Sequence, residues 1–216
     1  MTIIYFTIFS ISLLLLIQSL FDYKLKKQQL ARKLLTSTLF ILISLAISYH
    51  QATIYLNRYL IIALFFYLLG DGFLVSVSKA SFEFSYGIIT FIIGHIFMFF
   101  YLFKSYNLIP FLISVLIVFI TIVISELFDL KIGKYQKLVY PYTFMLALIT
   151  FKAIFNYLDF KNIANLLQAI GFCLFFLSDF ILLFHHFSNH KQSYIKMANL
   201  ILYYYGIFLI VVSLAY

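Results

Sequence analysis

Charge is what this chain has least of: Lys, Arg, Asp and Glu make up 10% of its 216 residues, against 65% hydrophobic residues. Soluble domains carry about 25% charged residues, so a water-soluble fold is excluded and an integral membrane protein remains. Cysteine occurs once, at Cys173. That excludes an internal disulfide and any cysteine metal cluster, and leaves the thiol as a small apolar packing group. There is no P-loop, no Gly-rich dinucleotide turn and no Gly-x-Ser-x-Gly elbow, so the chemistries those motifs serve have no support. Long polar stretches are missing too. The connections, such as "DYKLKKQQLARK" at 22–33 and "FDLKIGKYQK" at 128–137, are too short to fold separately, so 1–216 is expected to be a single membrane domain.

What is there is a series of apolar runs. A helix needs about 20 residues to cross a ~30 Å hydrocarbon core. Eight runs meet that length, near 2–21, 33–50, 59–78, 83–104, 108–127, 137–156, 162–184 and 194–215, which predicts an all-α protein of eight transmembrane helices. The first begins almost at Met1 with no basic n-region or small-residue cleavage signal, and is expected to be retained. Net charge is +8, but the basic residues sit in loops of a membrane protein, so they argue for orientation rather than for nucleic acid. The loops after helices 1, 3, 5 and 7 hold eleven Lys and Arg, including Lys24, Lys26, Lys27, Arg32, Lys33, Lys79 and Lys191; the opposite set holds four, Arg58, Lys104, Lys152 and Lys161. The positive-inside rule then places both termini outside and the first loop in the cytoplasm.

Against this background "FYLLGDGFLV" (66–75) and "FLSDFILLF" (176–184) stand out, each with an aspartate inside an apolar run. An Asp at a bilayer centre costs about 2.5–3.5 kcal/mol on insertion scales, so it faces protein or water and serves a function. The apolar runs supply no Lys or Arg beside either one as a structural partner. Asp71 and Asp179 lie 108 residues apart, half the chain length, each after a small residue. One reading is a parallel repeat of four helices plus four, with the two carboxylates meeting near its axis. The same half of the bundle collects Lys33, Ser37, Ser44 and Ser48 of helix 2, Gly87, Phe91 and His95 on one stripe of helix 4, Tyr140, Pro141 and Tyr142 of helix 6, and Asn199, Tyr203 and Tyr204 of helix 8. The outer halves of helices 3 and 7 read as almost wholly apolar. This is the pattern of a pocket open to the cytoplasmic side. The histidines of "FHHFSNHK", His185, His186 and His190, could join Asp179 in a zinc site, but no inward His pair on a second helix completes one, and no metal or other cofactor is expected.

In these residues the chain resembles the YhhN family of eight-helix membrane proteins. The pieces are "RKLLT" with Lys33, "LLGD" ending at Asp71, the Gly87, Phe91, His95 stripe, Tyr142, "FLSD" ending at Asp179, and "YYYGIFLIVVS" with Tyr203, Tyr204 and Ser213. Met98 and Ile207 stand where the family usually has Tyr and Gln, which alters the shape and polarity of the pocket. The resemblance implies a lysoplasmalogenase: hydrolysis of the vinyl ether of a single-chain ether phospholipid to a fatty aldehyde and a glycerophospho-headgroup. Asp71 and Asp179 would be catalytic, and Lys33, His95, Tyr142, Asn199, Tyr203 and Tyr204 would bind substrate, Lys33 through the phosphate. Vinyl ether hydrolysis needs a proton donor to carbon and an anion to steady the oxocarbenium ion; Asp179 is expected as donor and Asp71 as base and stabiliser. The setting implied is a bacterial inner membrane, with the bilayer and the lipid as partners, no nucleic acid and no obligate protein partner. The rival readings are a lipid-binding or proton- or cation-coupled transport protein, for which a polar lining should continue through the outer half, and a ceramidase-like zinc amidase.

Overall fold

Apolar sequence in a bilayer must satisfy its backbone groups within each segment, and helices do so residue by residue. The computed structural model describes residues 2–21, 28–75, 82–187 and 193–216, and these form helices α1 (Thr2–Phe21), α2 (Gln29–His50), α3 (Ile54–Val75), α4 (Phe82–Leu102), α5 (Ile109–Leu127), α6 (Gln136–Phe160), α7 (Ile163–Phe187) and α8 (Ser193–Val212). Short 3₁₀ turns lead into α6 (Gly133–Tyr135) and follow α8 (Ser213–Ala215). No strand occurs among the described residues. Seven of these helices are long and apolar enough to cross a membrane, and α1 adds a shorter apolar stretch, Ile4–Ser19.

Three boundaries move in ways that matter. Helix α2 starts at Gln29, so Arg32, expected in a loop, and Lys33, expected at the helix start, both stand within its first turns; the Arg32 guanidinium donates to the Leu15 carbonyl of α1 at 2.5 Å. Helix α3 starts at Ile54 and brings Asn57 and Arg58 inside it. Helix α6 runs on to Phe160, and Lys152, counted with the loop charges although it falls inside the run 137–156, is an intrahelical residue, 2% exposed. Lys24, Lys26, Lys27, Lys79, His190 and Lys191 lie outside the described residues.

Neighbours in space follow one circuit. Helices α2, α3, α4, α6, α7 and α8 pack in that order, and α8 returns to α2; α1 packs on α2 and α8, and α5 packs on α6. The outward side of α5 is bare, with Phe111, Leu112, Val115, Leu116 and Phe119 exposed, as expected of a face bathed in lipid. The circuit closes tightly where small residues meet. A Cβ built on Gly171 of α7 would come within 2.7 Å of the Gly206 carbonyl of α8, so these two backbones are in direct contact. Gly171→Ala is expected to force them apart and cost about 1–3 kcal/mol, measured as a lowered thermal midpoint in detergent. On the α3–α4 side the rings of Phe91 and Tyr67 occupy the space a side chain at Gly70 and Gly94 would need.

Candidate functional site

One turn inside α2, Lys33 reaches across to α3. Its ammonium lies 3.0 Å from Asp71 Oδ1, with the lysine side chain 13% exposed and the aspartate 2%. The absence of a cationic partner inferred from the apolar runs is therefore corrected for Asp71: helix geometry brings one from the end of a neighbouring helix. Ser37, one turn further along the same face of α2, donates to Asp71 Oδ2 at 2.5 Å, and the hydroxyls of Tyr203 and Tyr204 on α8 reach the same oxygen at 3.1 and 3.4 Å. An ionised carboxylate only accepts hydrogen bonds, and Asp71 is met by an ammonium and three hydroxyl groups. These donors come from α2 and α8 together.

Asp179 sits in a different setting. The Tyr142 hydroxyl of α6 donates to its Oδ2. The carboxyl also stands in the wall of a cavity bounded by α3, α4, α5, α6 and α7, among Ile88, Phe91, Leu146, Phe176, Phe180 and Leu183. The other polar residues of that wall are Thr121, Tyr142, Thr143 and His186, so Asp179 is its one carboxylate. Lys33, Asp71, His95, Asn199, Tyr203 and Tyr204 do not line it. Phe91 bridges the two settings, with its ring centroid 6.2 Å from Tyr203 and 6.4 Å from Tyr142.

His95 is fully buried, its ring 5.1 Å from that of Tyr142, and its Nδ1 is 2.7 Å from the Tyr67 hydroxyl of α3. Tyr67 is a site residue that the sequence reading missed. Its signal was present, four residues before Asp71 on one helical face. Asn199 bonds the backbone and hydroxyl of Ser178, both at 2.8 Å, and so ties α8 to α7 beside Asp179. The serine stripe of α2 divides: Ser37 joins Asp71, Ser44 bonds the Ile41 carbonyl of its own helix, and Ser48 accepts from Asn57 at the far end of the bundle. Among the described residues no group of three His, Cys, Asp or Glu is placed to hold a metal ion. His186 lies flat against Phe84, with ring centroids 4.2 Å apart.

The expectation of almost wholly apolar outer halves in helices 3 and 7 is corrected for α7, whose Asn165 and Gln168 join a buried polar network with α4 and α6. Lys152 donates to the Ser105 carbonyl, Asn156 donates to the Leu102 carbonyl at 2.8 Å, Lys104 donates to Asn165 at 2.7 Å, and Gln168 bonds Tyr101 and Ser213 at 3.0 and 3.1 Å. Most of this network fastens the ends of α4 and α6 to the start of α7. Between it and the aspartates lies a layer of side chains with almost no exposure, Leu60, Leu64, Met98, Ile149, Phe172 and Ile207. Met98 and Ile207, the two departures from the family pattern, both belong to that dry layer.

The YhhN family model matches residues 28–214, from the start of α2 to the end of the chain's last 3₁₀ turn but one residue. Neither curated proteins nor solved structures provide a match.

Proposed function

This chain belongs to the YhhN family, and from that premise we propose that it is a membrane hydrolase cleaving the vinyl ether of lysoplasmalogens. The observation that carries the reading is the contrast between its two buried carboxyls: Asp71 is held by an ammonium and three hydroxyls, while Asp179 has the Tyr142 hydroxyl and an apolar cavity. Transfer of a proton to a vinyl carbon is the hard step of this hydrolysis, and it calls for a carboxylic acid in a dry wall. The cation that follows calls for a fixed negative charge nearby. Two carboxyls in unlike surroundings divide those tasks, as other acid–base enzymes do. Asp179 is the donor, facing the alkenyl chain in the cavity; Asp71, fixed by Lys33, is the anion whose field steadies the cation. The cavity lies at the bundle end reached by the loops after α1, α3, α5 and α7. The excess of Lys and Arg in those loops supports placing that end in the cytoplasm with both termini outside, in the inner membrane of a bacterium.

The repeat of four helices plus four belongs to the same reading. Contacts in the first half recur 108 residues on: Tyr67 touches His95 as Phe175 touches Tyr203, and Gly70 lies against Phe91 as Ser178 bonds Asn199. Each aspartate is also met by the helix before its own, Asp71 by α2 and Asp179 by α6. A transport reading draws on the second polar network, but the dry layer between the two ends argues for a pocket closed on one side. The test is aldehyde release by the purified protein in detergent, from an alkenyl lysophospholipid and from its acyl counterpart with the same headgroup. Release from the alkenyl lipid alone is expected; no release from it would overturn the reading.

A further inference from the structure

We propose that His95, oriented by Tyr67, holds the water that captures the oxocarbenium ion; this rests on the hydrolase reading and extends it to the second reactant. Tyr67 and His95 form a buried pair with a direction. A phenol proton needs an acceptor, and His95 Nδ1, at 2.7 Å, is the one beside it. With Nδ1 accepting, the ring proton stands on Nε2. The opposite arrangement would leave both the phenol proton and the Nε2 lone pair without partners. Nε2 has no hydrogen-bond partner among the described residues, in a side chain with no exposure at all. A buried donor left alone is costly, so an oxygen acceptor from outside the chain completes it.

The ring's position says which acceptor fits. His95 packs against Tyr142 on one side, at 5.1 Å between centroids, and Tyr142 holds Asp179. The rings of Phe175 and Phe91 also pack against it, at 5.5 and 6.5 Å between centroids. A water accepting from Nε2–H keeps two protons to donate; His95 does not itself line the Asp179 cavity, but Tyr142 and Phe91, whose rings pack against it, do. The other half of the bundle lacks this device. There the counterpart of His95 is Tyr203, committed to Asp71, and the counterpart of Tyr67 is Phe175, which has no hydroxyl.

The step balances without any further reactant. Asp179 gives its proton to the vinyl carbon, the C–H bond forms and the C=C π bond is lost, leaving an oxocarbenium ion and the Asp179 carboxylate. The water held by His95 forms a C–O bond to the cation and passes one proton to that carboxylate, restoring the acid. The resulting hemiacetal breaks its bond to the glycerol oxygen, which takes up a proton as the hemiacetal hydroxyl loses one, and aldehyde and glycerol product separate. His95 does not transfer a proton in this scheme. It is a positioning residue, and its loss acts on capture rather than on protonation.

Deuterium reports on that distinction. In D2O with an alkenyl lysophospholipid in detergent, the unaltered protein should give aldehyde carrying deuterium on the carbon next to the carbonyl, and the unreacted lipid should stay free of it, because capture outruns return of the proton. His95→Phe removes the donor and keeps an apolar ring; turnover should fall about tenfold or more, the scale of a misplaced reactant. Its unreacted lipid should gain vinyl deuterium as the cation, waiting for water, gives a proton back. Tyr67→Phe, which frees the imidazole to exchange tautomers, should show the same gain at a smaller loss, and serves if His95→Phe does not fold. His95→Gln, with an amide N–H in place of Nε2–H, should restore most turnover and suppress the exchange. If the unaltered protein turns over and neither His95→Phe nor Tyr67→Phe puts deuterium into unreacted lipid, the assignment of His95 is overturned while the hydrolase reading stands. No turnover by the unaltered protein overturns both.

Discussion

Asp179→Asn is expected to lower aldehyde release by at least ~100-fold, the lower end of what a positioned acid contributes. The amide has the size of the carboxyl, and its carbonyl can still accept the Tyr142 hydroxyl, so α6 and α7 keep their contact. What disappears is the proton. Since protonation at carbon is the slow step, the loss should fall on kcat, with KM little changed, because the cavity of Ile88, Phe91, Leu146 and Phe176 that would receive the alkenyl chain is untouched. Steady-state kinetics on the detergent-purified variant check this. A variant that keeps near-normal kcat would remove Asp179 from the chemistry.

The second large effect is on stability as well as rate. Lys33→Met leaves Asp71, 2% exposed, with hydroxyl donors but no positive charge. Removing one partner of a buried ion pair costs about 3–5 kcal/mol, because the other charge remains out of water. Adding Asp71→Asn to Lys33→Met removes that charge, so the double variant should recover much of the lost thermal stability. It should not recover activity, since the fixed anion is gone. The pairing changes what Lys33 does. From the sequence it was expected to offer its ammonium to a phosphate, so that its loss would raise KM; with the ammonium on Asp71, the loss should appear in kcat and in the melting temperature. If the double variant melts no higher than Lys33→Met alone, the ion pair is not what holds α2 to α3.

These two residues show how far the sequence could be read. Both aspartates were visible because a carboxylate in an apolar run has few neutral explanations. Tyr142, Tyr203 and Tyr204 were placed at the right end by counting turns. The Lys33–Asp71 pair was hidden because it depends on α2 starting at Gln29, a boundary set by helix continuation beyond the apolar run, and on the α2–α3 contact. Tyr67 was passed over since a tyrosine among leucines reads as packing. Lys152 lies inside the run 137–156 yet carries a charge that reads as belonging to a loop; α6 holds it because it and Asn156 find backbone carbonyls across the bundle at Ser105 and Leu102. Polar side chains satisfied by tertiary partners do not look different, in one dimension, from polar side chains that end a helix.

The dry layer of Leu60, Leu64, Met98, Ile149, Phe172 and Ile207 also sets an accounting rule for vesicles. A pocket shut at one pole serves only the lipids on its own side. In liposomes where every copy faces the same way, consumption should be fast until the accessible monolayer, about half the alkenyl lipid, is spent, and then slow to the pace at which lipids cross between monolayers. Such a biphasic progress curve would become single-phase on adding detergent, with no change to the protein.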